Sequence, residues 1–218
     1  MDKTEFLNLV KIAVRYLYKF DQSLLLSGAS ENKERNISAR LGTYLAILVE
    51  KDLKRRSIRR YYKSHNKKLW VDCEYARFGQ EPKVIYTLCK KCEAKCKRYQ
   101  EIMCLIGLNE SANNTDKDNE KDKKGRPDII CHGRKKSDYK TKQNYFIIEV
   151  KLDTSTASKD EDIAKLYYFV CQADKACEYQ YKHGLSLMLS SQDISKARYT
   201  YLAWKGGAHH IEEDKSLV

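Results

Sequence analysis

The amino-acid sequence predicts an α/β or α+β fold, in which a mixed β-sheet is covered by helices. Three observations predict it: two amphipathic helical patterns come first, short apolar segments of strand character follow, and one more helical pattern lies among the later strands. Strands and helices that alternate in this way favour a sheet with helices packed on its faces. The chain has 218 residues, so we expect a single domain over 1–218.

The first two elements are predicted to be helices. Apolar side chains recur at helical spacing over residues 3–19, and Asp2 and Glu5 have the offset of a capping box at the start of this segment. A second helix is expected over about 31–53. Its inward stripe consists of Ile37, Leu41, Tyr44, Leu45 and Leu48.

Strands are predicted to follow the helices. Segments 69–77 and 83–88 are expected to pair as a hairpin across the glycine-containing FGQEP. The next two strands, one starting at Asp128 and one over 145–152, are expected to pair as neighbours and so complete a meander of four. A helix over 158–171 and two strands, HGLSLML and RYTYLAW, are predicted to complete the fold.

Residues 89–125 are predicted to be an insertion made of a cysteine-containing helix and a polar loop. The loop, 109–125, has no apolar residue larger than alanine, so it cannot offset its own ordering entropy. We therefore expect this loop to be mobile and dispensable for the fold.

Four cysteines in the insertion have a spacing that suits metal binding. Cys89, Cys92, Cys96 and Cys104 follow C-x2-C-x3-C-x7-C. Zn²⁺ prefers tetrahedral sites that often begin with a C-x2-C pair, and iron–sulfur clusters also use cysteine ligands. Thiols can equally pack as small apolar groups. Without a second C-x2-C pair, a zinc site, an iron–sulfur cluster and a metal-free helix all stay open.

The charge of the chain favours a polyanionic partner. Its 42 Lys and Arg against 30 Asp and Glu give +12, which favours nucleic acid ahead of an anionic membrane surface. Residues 51–68 contain nine basic residues and one acidic residue. We expect phosphate contacts from Arg55, Arg56, Arg59 and Arg60, and the alternative is a solvated helix end.

The sequence predicts a cytoplasmic protein without a membrane partner. No apolar stretch is long enough to span a bilayer, and the first residues lack the pattern of a secretory signal. The eight cysteines are then not expected to form a disulfide framework, because the cytosol keeps thiols reduced.

Charged residues interrupt two apolar strands within 125–153. Asp128 opens the segment DIIC, and Glu149 and Lys151 lie in and after YFIIEV, two residues apart and so on one strand face. A buried charge is costly unless it is paired, hydrogen-bonded or bound to metal. Two carboxylates suit Mg²⁺, and a lysine beside them could stabilise charge that develops on a phosphate.

The pattern Pro127-Asp128 … Glu149-Val150-Lys151 resembles the PD-(D/E)XK motif of the restriction-endonuclease-like nuclease superfamily, in its bacterial members. The segments KERNISARLGTYL, VDCEYAR and YKHGLSLML also resemble elements around that motif. The resemblance covers most of the chain, except the cysteine segment, the 109–125 loop and the C-terminal tail. It implies a restriction-endonuclease-like mixed sheet flanked by helices.

The resemblance also implies roles for individual residues. Asp128 and Glu149 match the carboxylates that bind Mg²⁺ or Mn²⁺, with the backbone carbonyl of Val150 as a further ligand. Lys151 matches the catalytic lysine, and Glu34, on the second helix, matches the additional acidic residue that often completes the metal shell. The alternative for Glu34 is an exposed glutamate at a helix start, where it interacts favourably with the helix dipole.

Three other residues are weighed beside this set. Glu74 competes with Glu34 for the role of the additional acid, although it could instead pair with Arg77. Lys165 and Tyr181 are candidates to line the cleft.

The function expected from these observations is a metal-dependent nuclease that hydrolyses phosphodiester bonds, with DNA favoured over RNA, in defence against foreign DNA. A homodimer would supply the two active sites that two cuts in a duplex need. The alternatives are a non-catalytic nucleic-acid-binding protein that keeps the nuclease fold, and a zinc-stabilised interaction module.

Overall fold

The computed structural model confirms a mixed α/β fold with a six-stranded mixed sheet flanked by helices. It describes residues 1–26, 33–55, 69–73, 84–85, 123–124, 127–133, 144–154, 159–172 and 179–218. The helices are α1 (Lys3–Phe20), α2 (Gln22–Leu26), α3 (Lys33–Arg55) and α4 (Lys159–Val170), with a 3₁₀ turn at Ile194–Lys196. The strands are β1 (Leu69–Cys73), β2 (Val84–Ile85), β3 (Lys123–Lys124), β4 (Ile129–Gly133), β5 (Asn144–Leu152), β6 (His183–Leu189), β7 (Arg198–Lys205) and β8 (Ala208–Ser216).

The main sheet has the strand order β1-β4-β5-β6-β7-β8. The predicted neighbours β4 and β5 pair antiparallel, with Ile129 opposite Ile148. Strands β5 and β6 pair parallel, and α4 lies between them in the chain. A parallel pair needs such a crossover, so α4 packs back on the sheet beside the strand that carries Glu149.

The predicted hairpin between 69–77 and 83–88 is wrong in the part of both segments that the structure describes. Strand β1 pairs with β4, and β2 pairs with β3 in a separate two-stranded sheet. Val71 and Cys73 of β1 pack on the core beneath α1 and α3. The burial of these side chains against residues distant in sequence determines that β1 pairs with β4. The short distance in sequence between the two predicted strands therefore did not predict the pairing.

Helices α1 and α3 cover one face of the sheet. The predicted capping box is present: Asp2 Oδ1 accepts a hydrogen bond from the Glu5 backbone at 2.9 Å, and Glu5 Oε2 accepts one from the Asp2 backbone at 2.9 Å. The apolar stripes of both helices pack against Ile129, Ile148 and Val150. The periodicity thus predicted correctly which side of each helix is buried.

Helix α4 covers the other face. The helical periodicity of the predicted 158–171 segment points four side chains inward, and all four are buried: Ile163, Leu166, Tyr167 and Val170. They pack with Ile130 and Ile147, which alternate along β4 and β5 with the residues beneath α1 and α3. A residue two positions from Ile147 on β5 therefore faces α4.

Several predictions meet the limits of the described residues. Of the predicted insertion 89–125, only Lys123–Lys124 are described, and they form β3. The expected mobility of the 109–125 loop and the proposed cysteine helix lie outside the described residues. None of the helices in the described segments has the length and apolar character to span a membrane.

Candidate active site

Asp128 and Glu149 meet where β4 begins. The pairing of Ile129 with Ile148, continued by one residue, sets Asp128 opposite Glu149. Asp128 Oδ2 accepts a hydrogen bond of 2.7 Å from the backbone N–H of Val150, which fixes its carboxylate against β5. The two predicted metal-binding carboxylates are therefore neighbours across the strand pair, as the sequence predicted.

Both carboxylates and the lysine face α4. Glu149 and Lys151 alternate with Ile148 and Val150, which belong to the core beneath α1 and α3. Glu149 is only 3% exposed, and its Oε1 has no hydrogen-bond partner among the described residues. A buried carboxylate oxygen without a partner is costly and marks a place where a cation or a proton is needed.

Burial dominates the electrostatics of the pair. It raises the pKa of Asp128 to about 6, because it outweighs the hydrogen bond from Val150 that stabilises the charged form. Burial also raises the pKa of Glu149 well above its usual range, and the neighbouring charge of Asp128 adds to the effect. The charge of Asp162 also raises the pKa of both groups, which is the behaviour of carboxylates that share one site.

Lys151 lies between two acidic side chains that come from different helices. Its Nζ lies 3.5 Å from Asp162 Oδ2 on α4 and 4.0 Å from Glu34 Oε2 on α3. Glu34 Oε1 also accepts a hydrogen bond of 3.2 Å from the backbone N–H of Leu152. The structure thus brings Glu34 to the site, where it contacts the lysine and the end of β5.

Sequence reasoning missed Asp162. It lies in the first turn of α4, is 1% exposed, and its Oδ1 accepts a hydrogen bond of 2.9 Å from Lys165 Nζ. The signal was present, because Asp162 precedes Leu166 by four residues and so belongs to the buried stripe of the helix. Acidic residues in a first helical turn are usually explained by the helix dipole, which concealed this one.

Lys165, predicted to line the cleft, lies at the site. Burial alone would lower the pKa of its ammonium group, but the carboxylates of Glu149 and Asp162 outweigh that effect and raise it. Tyr181 has a different position. It is 1% exposed and packs edge-on against Phe169 in the core beneath α4.

A second polar pair lies farther along β4. His132 Nε2 lies 2.7 Å from Asp72 Oδ2 on β1, and both side chains are largely buried. Neither residue was predicted to belong to a site, because the pairing of β1 with β4 was not predicted. Their contact ties the edge strand to β4.

The remaining predicted site residues lie outside the described part of the chain. These are Cys89, Cys92, Cys96 and Cys104 of the proposed zinc or iron–sulfur site, the competing acid Glu74, and Arg56, Arg59 and Arg60 of the basic run. Arg55 is the last residue of α3.

The carboxylate pair has the donor chemistry that Mg²⁺ or Mn²⁺ prefers. Within the described segments, no three His, Cys, Asp or Glu side chains come together as a metal-binding group. Mg²⁺ needs only one or two carboxylates, since it keeps several waters and takes further oxygens from substrate phosphate. Asp128 and Glu149, with its unpartnered Oε1, have the donors that this requirement names, and the backbone carbonyl of Val150 stays a predicted third ligand.

Comparison with known proteins found no matching family model, no matching curated protein and no matching solved structure.

Proposed function

We propose that this protein is a metal-dependent nuclease that hydrolyses phosphodiester bonds, with DNA as the favoured substrate. The observation that carries the proposal is the meeting of Asp128, Glu149 and Lys151 on one face of the sheet, with Glu149 Oε1 buried and unpartnered. Paired carboxylates beside a lysine suit phosphoryl chemistry, in which positioning and charge stabilisation supply most of the catalysis.

The fold supports a restriction-endonuclease-like assignment. The antiparallel pair β4–β5 carries the motif, the parallel neighbour β6 follows after the crossover helix α4, and α3 brings Glu34 to the end of β5. These are the elements that the resemblance to PD-(D/E)XK nucleases implies. A role in degrading foreign DNA is part of the proposal, because it rests on the same resemblance.

Each side chain has a defined part in the proposed reaction. Asp128, Glu149 and the carbonyl of Val150 would hold Mg²⁺ or Mn²⁺, which polarises phosphate oxygens and lowers the pKa of a bound water. The ammonium group of Lys151, whose charge acts on both carboxylates, would donate hydrogen bonds to the attacking water or to a non-bridging phosphate oxygen. Glu34 contacts this ammonium from the α3 side.

Cleavage assays on plasmid DNA, DNA oligonucleotides and RNA test the proposal with Mg²⁺, Mn²⁺ or EDTA present. Wild type should cleave DNA only with the divalent ion. Lys151→Ala should lower the rate at least about 100-fold, the scale on which a positioned proton-transfer group acts. Lys196→Ala, at an exposed position on the 3₁₀ turn, is the matched control and should cleave as wild type does.

The two alternatives give different outcomes in the same assays. A non-catalytic nucleic-acid-binding protein would retain DNA in a mobility-shift assay but cleave nothing with either ion. A zinc-stabilised interaction module would contain stoichiometric zinc in elemental analysis and show neither binding nor cleavage. Cleavage that persists undiminished in Lys151→Ala would refute the assignment of the site.

A further inference from the structure

Asp162 is a buried carboxylate whose described contacts are with two lysines. Its Oδ1 accepts a hydrogen bond from Lys165 Nζ at 2.9 Å. Its Oδ2 lies 3.5 Å from Lys151 Nζ, which is an ion-pair contact, and it has no hydrogen-bond partner among the described residues. The Asp162 side chain is 1% exposed, while the side chains of Lys151 and Lys165 are 18% and 27% exposed, so water screens the two contacts only in part. Both ion pairs therefore act at short range in a partly desolvated place.

An apolar pair in place of Asp162 and its lysine partner should cost the fold little. Asp162 lies in the stripe of α4 that buries Ile163 and Leu166 against β5. Replacing a buried ion pair by well-packed apolar residues is often neutral or stabilising. Fold stability alone therefore does not account for a carboxylate here, and its orientation towards Lys151 indicates a role in the site.

Lys151 needs an external group to fix its position. A lysine side chain has four rotatable carbon–carbon bonds and a compact ammonium group, so it samples many rotamers when it is free. Asp162 from α4 and Glu34 from α3 approach this ammonium group within 3.5 and 4.0 Å. Of the two, Asp162 is the closer and the more deeply buried.

We infer that Asp162 is a positioning residue, which holds the ammonium group of Lys151 beside the Asp128–Glu149 pair. Lys165 acts as the second cation, which makes the burial of this carboxylate tolerable. The inference rests on the proposed nuclease function, because a fixed Lys151 matters for turnover only if the site cleaves phosphodiesters. It assigns a supporting role to a helix residue outside the Pro-Asp … Glu-x-Lys motif.

The test combines steady-state kinetics with a double-mutant cycle of unfolding. Asp162→Asn keeps the shape of the side chain and removes its charge. It should lower kcat by about 10–100-fold, the usual cost of losing a group that orients a site residue. KM should change by less than about threefold, because Asp162 does not contact substrate. Glu161→Gln, exposed in the same helical turn, should leave kcat and KM as in wild type.

The cycle measures the contact without any turnover. Asp162→Asn, Lys151→Met and the double variant are unfolded in urea with EDTA present. Residues in one ion-pair network couple, so we expect the effects on the folding equilibrium constant to deviate from multiplicativity by about threefold or more. If the effects of Asp162→Asn and Lys151→Met on the folding equilibrium constant simply multiply in the double variant, the inference is overturned.

Every kinetic outcome also separates the inference from the proposed function. If wild type cleaves and Asp162→Asn keeps its kcat, or loses no more than Glu161→Gln does, the inference is overturned and the nuclease function stands. If wild type cleaves no nucleic acid with Mg²⁺ or Mn²⁺, the proposed function fails and the inference falls with it.

A second variant covers the case in which Asp162→Asn does not fold. Asp162→Leu combined with Lys165→Met replaces the buried ion pair by apolar side chains and leaves neither partner unpaired on α4. It should lower kcat beyond the loss caused by Lys165→Met alone, with KM again unchanged. A kcat equal to that of Lys165→Met would overturn the inference.

Discussion

At the scale of single residues, the buried carboxylates of the site lower the stability of the fold. Asp128 and Glu149 are carboxylates in an apolar sheet, and burial raises the pKa of each. Sequence alone could identify both, because a carboxylate in an apolar strand is conspicuous. Asp162 was overlooked, because the helix dipole explains an acidic residue at a helix start, although its spacing from Leu166 placed it on the buried stripe of the helix.

Asp128→Asn should make the metal-free protein more stable at pH 7.5. Burial raises the pKa of Asp128 to about 6 from its ordinary value of 3.8, so at pH 7.5 the folded state contains a carboxylate charge that burial disfavours. The amide can still accept the hydrogen bond from Val150. We expect the free energy of unfolding in EDTA to rise by about 1–3 kcal/mol, measured in urea.

With Mg²⁺ or Mn²⁺ present, wild type should become the more stable of the two proteins. A ligand that binds only the folded state stabilises it, so the thermal midpoint of wild type should rise with added metal while that of Asp128→Asn should not. Glu161→Gln serves as the control for a lost negative charge and should respond to metal as wild type does. An equal metal response in Asp128→Asn would remove Asp128 from the proposed ligand set.

At the scale of elements, the sequence predicted correctly those helices and strands whose signals lie within the element itself. Helix α1 begins at its predicted capping box, and β4 pairs with β5 as predicted, with Asp128 and Glu149 on the same face of the sheet. Strand β8 was missed. The Gly206–Gly207 pair, both with positive φ, was the available hairpin signal, but the strand after it is a charged edge strand without an apolar alternation. Its pairing depends on β7, which sequence spacing alone does not specify.

The β7–β8 hairpin is linked to α4 by His209, and this link should depend on pH. Burial lowers the pKa of His209 to about 4, although the hydrogen bond that Nε2 donates to the Tyr167 carbonyl at 3.0 Å opposes the shift. Between pH 6.5 and 4 the unfolded chain binds a proton at this residue and the folded chain does not. This group therefore contributes stability above pH 6.5 that is lost as the pH falls through that window.

His209→Gln should remove this dependence, because its amide nitrogen can replace the Nε2 donor without titrating. From pH 7 to pH 5, wild type should lose about 2 kcal/mol more free energy of unfolding than the variant does. Urea unfolding at both pH values measures this difference between wild type and variant. The contributions of the other titrating groups cancel, because both proteins contain them. His210→Gln, exposed on the same strand, is the control and should follow wild type. Parallel pH curves for wild type and His209→Gln would contradict the assignment.

At the scale of the whole molecule, the sheet order determines where the site lies. Strands β4 and β5 are interior strands of the six, with α3 covering one face and α4 the other, so side chains from both helices reach the end of β5. The order of helical and strand patterns predicted the helix-covered sheet but not the partner of β1, because that choice depends on burial over long sequence distances. The net charge of +12 is also a property of the whole molecule, because the summed electrostatic field of all charges attracts a polyanion.

DNA binding should weaken with added salt, and the basic run 51–68 should account for much of that dependence. Each phosphate contact releases counterions, so each lost contact reduces the slope of log affinity against log salt by about 0.7–0.9. Replacing Arg55, Arg56, Arg59 and Arg60 by glutamine should therefore lower the slope by up to about 3–4. The loss of affinity should be similar across DNA sequences, because phosphates carry no base information. Fluorescence anisotropy with a labelled oligonucleotide, in EDTA to prevent cleavage, measures the slope.

The control for this variant removes four exposed basic residues elsewhere: Arg15, Lys19, Lys205 and Lys215. Both variants lower the net charge equally, so a purely global field would change both slopes alike. A larger change in the Arg55–Arg60 variant would assign the phosphate contacts to the run. An unchanged slope in that variant would show that the run is a solvated surface, and the basic residues at 126 and 134–136, which flank β4 in sequence, would become the next to replace. The site assignment would survive that result, since it depends on Asp128, Glu149 and Lys151.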